Sequence, residues 1–230
     1  MTAASIRARV RAEMTEEIKA AARRHLATDG ANLSLRAVAR ELGMVSSAIY
    51  RYFASRDELL TALIVDAYDA VGAAAERAEA GVDRADLLGR WLAACRAVRE
   101  WALANPHEYA LIYGSPVPGY AAPPDTVPPA SRVGLLITAI LADGFAAGKL
   151  AAEQGQPVPQ PLRPELAALV GQLVPGVPEP LLARGMTAWI QLFGAVSFEL
   201  FGQLNNMIED RGTFFEYQMR TAARVVGLEG

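Results

Sequence analysis

The chain has 230 residues, 52% hydrophobic and 20% charged, which is enough apolar material for one large or two small cores and excludes global disorder. A single cysteine, Cys95, excludes an intramolecular disulfide, and two widely separated histidines, His25 and His107, leave a zinc site short of ligands. The net charge of -3 conceals a division: residues 1–56 carry ten basic and five acidic side chains, a local +5 that leaves -8 on the rest, so a polyanionic partner suits the N-terminal part alone.

Met14, Ile18, Ala21, Ala22, His25 and Leu26 recur at helical spacing, and Gly30 supplies the left-handed stop favoured at a helix end. Upstream, Ser5 to Glu13, with Arg7, Arg9 and Arg11, either extends this helix or forms a basic arm or solvated tail. Ser34 is an N-cap for a second helix of about two turns, in which Leu35, Val38, Ala39 and Leu42 stand at i, i+3, i+4 and i+7 before Gly43 ends it. Ser46 and Ser47 are the expected caps of a third short helix, whose Ile49 and Phe53 share one face. Ser55 opens a fourth, with Glu58 as its capping-box partner and Leu59, Leu60, Leu63, Ile64 and Ala67 as its apolar side.

After a weakly apolar stretch from Gly72 to Arg84, Asp86 caps a long amphipathic helix through Leu88, Trp91, Cys95, Val98 and Ala102. Asn105 followed by Pro106 then starts another that ends near Gly114. All 14 prolines lie at Pro106 or beyond, and those from Pro116 to Pro129 are expected to forbid regular structure until Ser131. Leu135, Leu136, Ile140, Leu141 and Phe145 mark the next helix. Two further proline runs introduce a short helix to about Val174 and two closing helices, one with an apolar stripe from Leu182 to Leu204 and one from Thr213. No alternating run bounded by hairpin turns occurs, so the chain reads as all-α.

Helix two, the Gly43 turn and helix three have the lengths of a helix-turn-helix, whose second helix enters the DNA major groove. With Ile49 and Phe53 inward, the opposite face presents Ser47, Ala48 and Arg51 flanked by Tyr50 and Tyr52. Those hydroxyls, methyl and guanidinium suit base edges at the centre and phosphates at the flanks. Arg36 and Arg56 add contacts from either side.

The run LSLRAVARELGMVSSAIYRYFASRDELLTALI, from Leu33 to Ile64, resembles the helix-turn-helix signature of TetR/AcrR-type transcriptional regulators. The matching positions are Ser34, Val38, Ala39, Leu42, Gly43, Ile49, Tyr50, Tyr52, Phe53, Arg56, Leu59 and Leu60. The resemblance implies an all-α homodimer with a three-helix DNA-binding domain over residues 1–56 and a helical ligand-binding and dimerisation domain over residues 57–230. It implies dimerisation through the last two long helices, packed as a four-helix bundle. Carried over position by position, DNA contacts fall on Arg36, Ser46, Ser47, Ala48, Tyr50, Tyr52 and Arg56, to which the helix face adds Arg51. Tyr52 stands where a histidine is often found, and Ser46 to Ala48 are variable positions of the family, so the operator sequence is not inherited. WALANPHEYALIYGSPVPGY, from Trp101 to Tyr120, resembles the WHG-type C-terminal subgroup of the same regulators and implies no particular ligand.

Trp101, His107, Tyr109 and Tyr113, with Tyr120, gather amphipathic aromatics beside a proline-stiffened loop, the composition of an apolar pocket with polar anchors; ordinary core is the competing reading. Trp189 and Phe193 face either such a pocket or the dimer seam, for which Val196, Leu200, Phe215, Met219 and Ala222 are further candidates. Cys95 reads as a buried structural thiol. The stretch from Gly144 to Lys149 is one residue short of a phosphate loop and lies in a helical run, and no nucleophile elbow or paired-histidine helix occurs, so neither catalysis nor a cofactor is expected. No apolar leader is visible, and the uncharged run from Gly185 to Phe198 falls short of the roughly 20 residues needed to span a bilayer; a cytoplasmic protein without a membrane partner is expected. These readings predict a sequence-specific repressor of double-stranded operator DNA, released by a small hydrophobic effector. The alternatives are an activator or architectural DNA-binding protein without effector, and a helical small-molecule-binding protein or enzyme.

Overall fold

The computed structural model describes residues 3–29 and 33–228, and among them every regular element is helical. The expected stop at Gly30 lies outside the described residues. Packing divides the chain into two units, Met1–Tyr68 with Asn105–Val127, and Asp69–Ala104 with Pro128–Gly230. The helix-turn-helix lies wholly in the first.

That first unit contains α1 (Ala3–Asp29), α2 (Leu35–Glu41), α3 (Ser46–Ile49), the opening of α4 (Arg56–Ala80) and α6 (Pro106–Tyr113). Its core joins Ile18, Ala22, Leu35, Val38, Ile49, Phe53, Leu59 and Leu60. Each large aliphatic so buried contributes about 1.5–3 kcal/mol. The caps fix the short helices. The Ser34 hydroxyl accepts from the Ala37 amide at 3.4 Å, and Gly43 takes φ +65 after α2. At the start of α4 the Ser55 hydroxyl accepts from the Glu58 amide at 3.1 Å, while the Glu58 carboxylate reaches back to the Ala54 amide at 2.5 Å.

One sequence expectation is corrected by the structure, and one left open is decided. The N-cap of α3 is Val45, without a side-chain cap, and Ser46 and Ser47 are its first helical residues, so both hydroxyls are left exposed. Residues 5–13 are neither arm nor tail but a continuous extension of α1. The body of α1 is tied to α4 and α6 by ion pairs, Lys19 and Arg23 to Asp66 at 2.8 and 2.5 Å and Arg23 to Glu108 at 3.0 Å.

The second unit contains the rest of α4, α5 (Leu87–Ala104), α7 (Val127–Ala146) from Pro128 onward, α8 (Arg163–Leu173), α9 (Glu179–Leu200) and α10 (Arg211–Val226). Asp86 caps α5 as expected, accepting from the Gly89 amide at 2.8 Å. The proline run does not delay α7 to Ser131. A 3-10 turn at Pro124–Thr126 leads into it, and Pro128 and Pro129 occupy a first turn whose amides have no helical acceptor to lose. Similarly, α9 ends at Leu200; Gly202 then takes φ +81, leaving Leu204 in the following turn, and α10 begins two residues before Thr213, with Asp210 accepting from the Thr213 amide at 3.0 Å.

Trp91 is fully buried and donates its indole N–H to the Met219 carbonyl at 2.9 Å, joining α5 to α10. Cys95 is buried, which pushes its thiol up in pKa and keeps it protonated. Phe193, Val196, Phe215, Met219 and Ala222, expected at a dimer seam, are buried inside the chain, and Leu200 is half-buried. The apolar residues left exposed on α9 and α10 are others, including Ile190 (60%), Phe198 (56%) and Tyr217 (64%). The segment Pro124–Ala146 and α9 are both long and apolar enough to cross a membrane, a length that the uncharged run alone did not reveal; Val133, Ile137, Ile140 and Leu141 of the first, and Leu181, Leu192 and Val196 of the second, are nevertheless core residues.

Candidate nucleic-acid interface

Ile49, fully buried, and Phe53 anchor the inner side of α3, which turns the other side of this short helix to solvent. Ser46, Ser47 and Arg51 are exposed there, Tyr50 is 45% exposed, and Ala48 is partly covered. Arg36 is exposed on α2, with Arg40 four residues on and therefore on the same face.

The structure separates the eight expected DNA residues into two groups. Arg36, Ser46, Ser47, Tyr50 and Arg51 present their polar groups outward, with Ala48 among them. Tyr52 and Arg56 are partly withdrawn into the fold. The Tyr52 ring packs against the core and lies under the Arg11 guanidinium, whose central carbon is 5.3 Å from the ring centroid. Arg56 donates from Nε to the Leu33 carbonyl at 3.2 Å and pairs with Asp57 at 3.4 Å, so it braces the segment before α2.

Charge sorts the basic residues as clearly as position does. Lys19 and Arg23 are tied to carboxylates, and Arg24 and His25 converge on Glu41 at 2.6 and 2.9 Å. The Arg24 guanidinium holds the Glu41 carboxyl below its ordinary pKa. Arg9 faces Glu13 at 3.5 Å. Among the described residues, however, Arg36, Arg40 and Arg51 have no carboxylate partner. Arg11 gives Nη2 to the Arg51 carbonyl at 2.7 Å and its face to Tyr52, both neutral groups. Uncompensated positive charge is thus concentrated on the outer face of α2, at the end of α3 and on the side of α1 that meets it. Sequence reasoning did not place Arg40 on this face and weighed Arg11 only as part of a basic arm. The signal for Arg40 was its spacing from Arg36; for Arg11, its place on the same helical face as Ile18.

The six aromatic and histidine positions expected to bind a ligand divide between the packing units. In the first, His107 is exposed, Tyr109 is fully buried and Tyr113 is half-buried on α6. Tyr113 packs against Tyr109 and, edge-on, against Tyr68, with centroids 5.0 and 5.7 Å apart. Burial pushes the Tyr113 phenol well above its ordinary pKa, so it is neutral at physiological pH. Tyr68, absent from the sequence expectation, donates to the Ile112 carbonyl at 3.2 Å, and the Tyr120 and Thr61 hydroxyls meet at 2.9 Å. In the second unit Trp101 and Trp189 are half-buried, and Trp189 lies edge-on to buried Phe193 at 5.7 Å. No cluster of three or more potential metal ligands occurs among the described residues.

A model of bacterial regulatory proteins of the tetR family matches residues 18–63, and a model of the tetracyclin repressor-like C-terminal domain matches residues 91–222. The chain belongs to the tetR family. The HTH-type transcriptional regulator Rv1816 of Mycobacterium tuberculosis is 41% identical over 222 residues, spanning 94% of this chain and 93% of its own. The crystal structure of the regulatory protein SCO4313 matches with a TM-score of 0.75 at 35% identity, over 93% of this chain and 97% of that one. The fold also recurs in RolR, solved in complex with the ligand resorcinol, with a TM-score of 0.54 at 17% identity over 96% and 95% of the two chains. The chain is therefore a DNA-binding transcriptional regulator of this family.

Proposed function

We propose that this regulator is a repressor that binds a palindromic operator as a homodimer and is released by a small hydrophobic effector. The observation that carries the reading is the pairing of α3 and the turn after it, which expose Ser46, Ser47, Tyr50 and Arg51, with arginines that no carboxylate neutralises among the described residues. Base contacts are assigned to Ser46, Ser47, Ala48 and Tyr50, phosphate contacts to Arg36 and Arg51, and support of the reading helix to Tyr52 and Arg56.

Two such helices read successive major grooves about 34–36 Å apart. The apolar face holding Ile190 and Phe198 is the surface that a second copy covers, since exposed aromatic and aliphatic groups eight residues apart on one helix favour burial. The phenols of the Tyr68, Tyr109 and Tyr113 cluster suit an apolar molecule with one or two hydrogen-bonding groups, and RolR is a protein of the same fold solved in complex with resorcinol. For a full swing between DNA-competent and incompetent states the effector must prefer one by about 5.5 kcal/mol. No catalytic step is assigned, and the site of action is the compartment that holds the chromosome, the cytoplasm.

The test replaces Arg36 and Tyr50 by Ala and measures binding to a duplex selected by the wild-type protein from a random library. Each lost contact removes about 1–3 kcal/mol, so specific affinity falls at least about 100-fold over two half-sites. Unchanged affinity for the selected duplex would remove both assignments, and retained preference over a scrambled duplex would remove that of Tyr50. An Ile190→Asp, Phe198→Asp variant is expected to run as a monomer in light scattering at micromolar concentration; an intact dimer would place the seam elsewhere.

A further inference from the structure

The N-terminal turns of α1 extend beyond the buried body of the helix-turn-helix. The face of α1 that packs into the core carries Ile18, Ala21 and Ala22, all fully buried. At 100° per residue the same face continues toward the N-terminus through Met14 to Arg11 and then Arg7. So where the helix passes the edge of the core, its inner face changes from apolar to basic. Arg11 marks that edge, held by the Arg51 carbonyl at 2.7 Å and the Tyr52 ring at the end of the reading segment. Arg7 stands one turn farther, about 6 Å along the axis, exposed and on the inner face. Arg9 is on the opposite face beside Glu13.

We propose that this overhang is a second DNA-binding element, in which Arg7 contacts the phosphodiester backbone flanking the segment that α3 reads and Arg11 positions the overhang against α3. The inference rests on the assignment of α3 as the reading helix. Three observations support it: the continuity of α1 through these residues, the joint that Arg11 makes to Arg51 and Tyr52, and the place of exposed Arg7 on the helical face that carries Arg11. A phosphate contact of this kind adds affinity without sequence information.

The experiment compares wild type with Arg7→Gln and Arg9→Gln, which remove the same charge from opposite faces of an exposed helix and keep a good helix former. Affinity is measured by fluorescence anisotropy against salt, on the library-selected duplex and on a scrambled duplex of equal length. Circular dichroism confirms that helix content is unchanged. For Arg7→Gln the dependence of log affinity on log salt flattens by about 2, one phosphate per protomer, and affinity falls about tenfold on both duplexes, leaving their ratio intact. Arg9→Gln changes the slope by less than half as much. Equal effects of the two variants, or no effect of Arg7→Gln, would overturn the placed contact. A wild type that binds both duplexes equally, with the Arg7→Gln slope still flattened, would sink the α3 assignment and the inference's dependence on it while leaving a backbone contact by the overhang in place.

Discussion

The two packing units handle arginine differently. In the second unit several guanidinium groups are consumed by the fold: Arg132 clasps Asp69 and Glu76 at 2.7 and 2.6 Å, Arg99 forks onto Glu199 with two 2.7 Å bonds, Arg96 pairs with Glu216, and Arg90 is buried against Glu79 at 2.5 Å and Asp143 at 2.8 Å, whereas Arg77 and Arg220 are exposed and make no ion pair among the described residues. In the first unit the pairs that do form hold α1 to α4 and α6 and to the end of α2, while Arg36 and Arg40 of α2 and Arg51 after α3 make no ion pair among the described residues. That cluster is the ground on which a polyanionic partner is proposed for the first unit. Charge already satisfied within a fold has little to offer a polyanion, whereas charge held exposed without a carboxylate costs self-repulsion that a phosphate backbone relieves.

The comparison breaks most visibly at Arg90. It is 1% exposed and its partner Glu79 6%, so Arg90→Met leaves a buried carboxylate with only the exposed Arg84 beside it. A loss of about 3 kcal/mol in urea unfolding is expected, the lower end for a broken buried pair, with the salt dependence of DNA binding unchanged. Stability within about 0.5 kcal/mol of wild type would show that this pair is not structural.

Arg40→Gln is the mirror experiment. Stability stays within about 0.5 kcal/mol, while the salt dependence of DNA binding flattens by about 2 per dimer. An unchanged slope would remove Arg40 from the interface.

The smallest effect is on pH. Arg132 holds Glu76, and Arg96 holds Glu216, below the ordinary carboxyl value of about 4.5. A depressed folded pKa stabilises above the unfolded value and the contribution disappears as pH falls through the folded one. Thermal midpoints are therefore expected to be level from pH 7 to 5 and to drop below about 4.5, with Arg132→Met showing a shallower drop than wild type. A drop of equal depth would assign the acid sensitivity to other carboxylates.

Much of this was legible in the sequence wherever the cause is local. Ser34, Gly43 and Ser55 fix the ends of α2 and the start of α4 through contacts within four residues, and all were readable from spacing and residue type. The proline run misled because Pro128 and Pro129 break a helix interior but fit a first turn, and which of these they occupy depends on where Val127 begins the helix. On α9, large apolar residues occur on every side, so periodicity could not tell Phe193, a core residue, from Ile190 and Phe198, which are exposed. Of the seam candidates, Phe193, Val196, Phe215, Met219 and Ala222 accordingly lie in the chain's own core, with Trp189 and Leu200 half-buried. Around α3, exposure of Ser46, Ser47 and Tyr50 followed from the inward Ile49 and Phe53. The withdrawal of Tyr52 beneath Arg11 and of Arg56 onto Leu33 did not, because those partners lie 41 and 23 residues away in sequence.

The most direct measurement is competition binding of the intact protein at 0.15 M salt, its library-selected duplex against a scrambled one. If α3 reads base edges, the selected duplex is preferred by at least about 1,000-fold. Equal affinity for the two would contradict the account at its centre.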